Sequence, residues 1–114
     1  MYNNASVNKV FLMGYVAREP RIHNSKNGKP QLSFSLTTTE SIKTQGGDIQ
    51  HSEVHAIKIN ADAACLKDVN LKKGDMLYVQ GRLQTHAFVD EQLIKRYKTE
   101  IVAIGVELFD PIQL

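Results

Sequence analysis

The segment QLSFSLTTTE, residues 31–40, alternates apolar and polar side chains over its first seven residues. That period belongs to a β-strand with one wet face, so Leu32, Phe34 and Leu36 are expected to point into a core and Ser33, Ser35 and Thr37 out of it. The pattern recurs along the chain. NKVFLMGYV, residues 8–16, sets Val10, Leu12, Gly14 and Val16 on one side and Lys9, Phe11, Met13 and Tyr15 on the other. Both sides are largely apolar, which suits a long central strand, and Gly14 permits the bend or bulge that a closed barrel requires. SEVHAIKIN, residues 52–60, sends His55, Ile57 and Ile59 inward. MLYVQGRLQTHAF and KRYKTEIVAIGVELF give two further strands joined by a turn near VDEQLI. In the former, Leu77, Val79 and Leu83 are expected inside, with Tyr78, Gln80, Arg82, Gln84, His86 and Phe88 outside.

The connections are equally legible. HNSKNGKP is turn-rich, with Asn27 and Gly28 forming an Asn-Gly pair. TQGGDIQHS reads as a flexible loop, since its glycines and polar residues have nothing to bury. ADAACLKDVN reads as a short helix capped by Asn60, with Lys72-Lys73-Gly74-Asp75 as its exit turn. Five strands with one short helix between the third and fourth is the element order of an OB-fold, an all-β, five-stranded Greek-key barrel. A mixed sandwich of similar size is the alternative with the same periodicities. At 114 residues the chain reads as one domain, residues 1–114, with the barrel over about 6–109 and no internal linker or repeat.

Composition excludes several function classes. No apolar run approaches the roughly 20 residues of a membrane span, and the N-terminus lacks the basic and apolar pattern of a secretory signal. A soluble, cytoplasmic, nucleoid-associated protein with no membrane partner is expected. A single cysteine, Cys65, excludes an intramolecular disulfide and a cysteine-based zinc site. His23, His51, His55 and His86 lack metal-ligand spacing, and there is no phosphate loop or nucleophile elbow. The chain is therefore read as no enzyme, with no catalytic residues, no cofactor and no metal.

Net charge is only +2, but residues 17–30 carry Arg18, Arg21, Lys26 and Lys29 against Glu19 alone. A basic loop of this kind collects phosphates, although a merely solvated loop has the same composition. The outward face of residues 54–60 offers Val54, Ala56, Lys58 and Asn60, and the outward row from Tyr78 to Phe88 interleaves aromatics with Arg82 and His86. Lys95, Arg96 and Lys98 flank Tyr97 on the returning strand. Flat rings for bases and cations for phosphates are what a groove for single-stranded nucleic acid requires. Charges on an edge strand that prevent aggregation are the bland alternative for the last group.

With these residues in place, the chain resembles the bacterial and mitochondrial single-stranded DNA-binding protein (SSB) family over nearly its full length. The motifs are VNKVFLMGYVAREPRI, the Asn-Gly turn, FSLTTTES, SEVH, LKKGDMLYVQGRLQT and RYKTEIVA, in that order and spacing. The resemblance implies homo-oligomerisation, usually with four OB-folds in all, and sequence-tolerant wrapping of single-stranded DNA. Such binding serves replication, recombination or repair. The nucleic-acid-binding residues expected are Lys9, Arg18, Arg21, Lys43, Val54, Lys58, Asn60, Lys73, Arg82, Phe88, Arg96 and Tyr97. Of these, Lys9, Lys73 and Arg96 match family basic positions. His55 and Tyr78 are expected at the oligomer interface.

Departures from the family pattern fall on the binding chemistry. Family tryptophans are replaced by Ile42 and Val54, a family phenylalanine by Asn60, and only Phe88 keeps an aromatic. Each stacked base contributes about 1 to 3 kcal/mol, so binding is expected to be weaker and more salt-dependent than the family norm. VELFDPIQL shows no acidic tip of the kind by which the family recruits repair and replication enzymes, so either a tail has been removed or this protein does without that arm. These features suit a replication-restart adaptor of the PriB (primosomal replication protein N) type. They also suit an OB-fold turned to protein contacts, with Ile42, Val54 and Phe88 as its apolar patch. RNA is a third possible ligand, since stacking and phosphate contacts scarcely distinguish the sugars.

Overall fold

The computed structural model describes residues 5–24 and 28–109. Five long strands close into a barrel: β1 (Val10–Val16), β3 (Pro30–Thr44), β4 (Gly47–Asn60), β5 (Met76–Val89) and β6 (Lys95–Phe109). A short sixth strand, β2 (Arg21–Asn24), pairs with the start of β3 and lies within the stretch expected to be a basic loop. Around the ring the order is β1-β5-β6-β4-β3, and β1 meets β3 again through Tyr15 opposite Thr37 and Val16 opposite Leu36. β4 and β6 run parallel while the other pairs are antiparallel. This is the OB-fold barrel that the element order predicts.

The alternating strands fill the interior as expected. Val16, Leu36, Ile57, Leu77 and Val79 are almost wholly buried, with Phe34, Ile59, Ile101 and Val106 packed around them. Gly14 allows the seam to close, because a Cβ there would fall against the backbone carbonyl of Thr37. Gly14→Ala therefore forces the β1/β3 seam apart, with an expected loss of about 1 to 3 kcal/mol, the usual cost of overpacking. A lower urea midpoint would register this, and an unchanged midpoint would refute it.

Three details differ from the sequence expectations. The short helix is a single 3₁₀ turn, Ala64–Leu66, preceded by Ala63 and not capped by the Asn60 side chain. Asn60 instead ends β4, and its backbone carbonyl accepts the Ala63 N–H. The chain extends at Lys67 and takes a positive φ at Asp68, so the turn cannot propagate; so short a helix has little stability of its own. The expected loop after β3 is instead a two-residue turn, because residues 47–52 continue the ladder opposite 39–44. Leu83, expected inside, is 49% exposed. It stands where β5 leaves the barrel, and the Asn8 amide brackets its backbone, accepting from the N–H and donating to the carbonyl. Lys26 and Asn27 lie outside the described residues.

Two long hairpins thus run past the barrel: the β3–β4 arm, residues 39–54, and the β5–β6 arm, residues 83–99. Beyond the barrel end, both of their faces meet water.

Candidate nucleic-acid interface

Strand alternation brings the outward residues of five strands onto one continuous sheet face. On β4 these are Val54, Ala56 and Lys58, directly opposite Thr37, Ser35 and Ser33 of β3. Arg21 of β2 continues the row beyond Ser33. On the other side, Lys58 neighbours Val102 of β6, which faces Arg82 of β5. Further out along the arm, Glu100 faces Gln84, Lys98 faces His86 and Arg96 faces Phe88. Where β2, β3, β4 and β6 converge, an open groove of about 410 Å³ is lined by Arg18, Arg21, Ser33, Ser35, Lys98 and Glu100, among others. Ser33, Ser35 and Ala56 line it together with the cations Arg18, Arg21 and Lys98 and the acids Glu19 and Glu100.

The expected site residues divide between this face and other places. Arg18, Arg21, Val54, Lys58, Asn60, Arg82, Phe88 and Arg96 belong to it or its rim. Val54 is 65% exposed, so this position presents a bare apolar platform without a ring. Lys43 lies near the tip of the β3–β4 arm, opposite Asp48. Lys9 lies outside the face, its ammonium over the Phe11 ring at 5.1 Å. Lys73 sits in the connection before β5, its backbone N–H on Glu19 Oε1 at 3.3 Å. Tyr97 opposes Ala87, which puts it on the reverse side of the β5–β6 arm from Phe88, with Lys95 above its ring at 5.5 Å. Ile42 opposes Ile49 on the reverse side of the β3–β4 arm from Val54. Ile42, Val54 and Phe88 therefore do not share one sheet face.

Two cations on the face already have acidic partners. Arg96 Nε contacts Asp90 Oδ2 at 2.5 Å, and Asp90 also accepts the N–H groups of Gln92 and Ile94. The Arg96 guanidinium, followed by the Ile94 amide, holds the Asp90 carboxyl below its ordinary value. Lys58 Nζ contacts Glu100 Oε1 at 2.8 Å, and His86 Nε2 reaches the same oxygen at 3.1 Å. Burial pushes the Glu100 carboxyl up, but Lys58, His86 and Lys98 together outweigh burial and hold it below the ordinary value. Glu100 was not among the expected site residues, and Lys98 was singled out only as one of the cations flanking Tyr97. The signal for them was the strict alternation Arg96, Lys98, Glu100, which puts all three on one side of β6.

The two residues expected at an oligomer interface lie off this face. His55 Nε2 is hydrogen-bonded to Thr38 Oγ1 at 2.8 Å and is half-buried at the base of the β3–β4 arm. Tyr78 is 48% exposed, edge-on to Phe109, and opposite Met13. With Phe11, Met13 and Tyr15 it forms an exposed apolar strip across β1 and β5.

The sequence pattern of the single-strand binding protein family matches residues 7–109. The chain belongs to this family. It is 34% identical over 104 residues to single-stranded DNA-binding protein 1 of Chlorobaculum tepidum and 34% identical over 109 residues to the single-stranded DNA-binding protein of Bacteroides thetaiotaomicron. Those matches cover 90% and 93% of this chain but 64% and 68% of the relatives, so the chain spans about two thirds of their length. The fold is shared with a Plasmodium falciparum SSB solved in complex with single-stranded DNA, at a TM-score of 0.81 and 29% identity, covering 96% of this chain and all of that one. The small single-stranded DNA-binding protein of Streptomyces coelicolor matches at a TM-score of 0.67 and 25% identity, covering 92% and 95% of the two chains.

Proposed function

We propose that this chain binds single-stranded DNA with little regard to sequence, through the β2-β3-β4-β6-β5 face, as a homo-oligomer working in replication, recombination or repair. The observation that carries the reading is the groove itself: Arg18, Arg21 and Lys98 line it with Ser33 and Ser35, and Phe88 stands farther along the same face. Cations of that kind track a phosphate backbone, and the ring accepts any base. With Val54 and Asn60 in place of family rings, electrostatics carries most of the affinity, so binding is weaker and more salt-dependent than is usual for the family. Several subunits acting on one strand offset weak single sites by raising effective concentration.

The exposed strip of Phe11, Met13, Tyr15 and Tyr78 supports self-association, four OB-folds being the usual family number. Against the reading as a protein-interaction module of the replication-restart type stands the separation of Ile42 from Val54 and Phe88 on opposite sides of the arms.

The test is fluorescence anisotropy of a labelled oligothymidine titrated at several salt concentrations, with the corresponding oligouridine beside it. Submicromolar binding that weakens steeply with salt is the expected result. No binding at low salt would reject the reading, and equal affinity for oligouridine would widen it to RNA.

A further inference from the structure

Glu100 is unusual for a surface that attracts phosphates. It is an acid in the middle of a basic face, only 8% exposed, and its Oε1 is shared by Lys58 from β4 and His86 from β5. The Lys58 side chain is 23% exposed, whereas that of His86 is 45% exposed and open to solvent. The groups facing His86 are Glu100 and Lys98 on β6, Lys58 on β4, and Phe88 on its own strand, the ring centroid 6.4 Å away. With the imidazole neutral, the Lys58–Glu100 pair cancels, and Lys98 is left as the net charge that this cluster offers a phosphate. A proton on the imidazole raises that sum by one positive charge. It also brings a second cation to the same carboxylate oxygen, weakening its hold on Lys58. Imidazole is the side chain that gains its proton between about pH 5 and 8.

We propose that Glu100 sets the charge of the strand-binding face through His86: it masks Lys58 while His86 is neutral, and protonation of His86 adds one phosphate contact, so binding tightens as pH falls. This rests on the reading of the face as a site for single-stranded DNA and specifies how that site is regulated. The sign follows from linkage. A bound phosphate favours the protonated imidazole, so the protein takes up a proton as the strand binds, and affinity rises as pH falls while the free protein's imidazole is still neutral.

The experiment measures oligothymidine binding by anisotropy at pH 7.5 and pH 5.5, each across a salt series, for the wild-type chain, His86→Gln and Glu100→Gln. In the wild type, the slope of log affinity against log salt is expected to steepen by about 0.7 at the lower pH, the value of one extra phosphate contact on a single strand. His86→Gln is expected to lose that increment, and because His23, His51 and His55 remain in both proteins, their contributions cancel in the difference. Glu100→Gln is expected to show, already at pH 7.5, the steeper slope that the wild type reaches at pH 5.5, since Lys58 is then unmasked. His86 is exposed, so its variant tests the inference even if Glu100→Gln folds poorly. A wild-type slope equal at both pH values, or an increment as large in His86→Gln as in the wild type, would overturn the inference while leaving strand binding intact. Absence of binding at every pH and salt would remove the underlying reading and the inference with it.

Discussion

Val54→Trp is expected to tighten oligothymidine binding by roughly 5- to 150-fold, the equivalent of about 1 to 3 kcal/mol for one base stacked on an aromatic ring. Val54 is 65% exposed, and its β-carbon projects from the same side of β4 as Ala56 and Lys58. A larger ring there meets no core, so the barrel should be undisturbed. The chain has no tryptophan of its own, so the introduced indole also reports directly: its fluorescence should be quenched as a strand stacks on it. The opposite change, Phe88→Ala, removes the ring that faces Arg96 at the far end of the same surface and is expected to weaken binding by a similar factor. An unquenched indole together with unchanged affinity in both variants would show that strands pass elsewhere.

The second large effect is electrostatic. Arg21 and Lys98 line opposite sides of the groove. Replacing both with glutamine is expected to flatten the salt slope by about 1.4, since each phosphate contact on a single strand contributes about 0.7. In consequence the double variant loses about 7-fold less affinity than the wild type between about 50 and 200 mM salt, while binding more weakly at the low end. Arg96→Gln should do less to the slope, because its guanidinium is already held by Asp90 across the hairpin turn. A double variant with the wild-type slope would mean that these two cations do not touch the strand.

The interior of this protein was readable because period-two alternation has a physical cause. Leu36, Ile57, Leu77 and Val79 alternate with polar residues because one side of each strand is dry, and each of them is buried. The same pattern misled at Leu83, since alternation continues along a strand after the core it once faced has ended. The loop expected at residues 44–52 failed for a related reason. Polar composition reports that a segment is wet, and a hairpin wet on both sides is as polar as a loop. Val54 and Phe88 were legible as outward-facing from alternation and Arg21 from the charge of its segment, but the pairing of Lys58 with Glu100 was not. Those residues are far apart in sequence and become neighbours only through the parallel contact of β4 with β6. Likewise, the two sides of an arm cannot be told apart until register is known, which is why Tyr97 and Ile42 were grouped with residues they do not accompany.

The arms carry one last consequence. Because they extend past the packed interior, a side chain on them contributes almost nothing to whether the molecule folds. Substitutions there leave the packing of the interior untouched. A lineage can exchange rings for aliphatics, or arginines for histidines, one position at a time, retuning grip strength without ever passing through an unfolded ancestor.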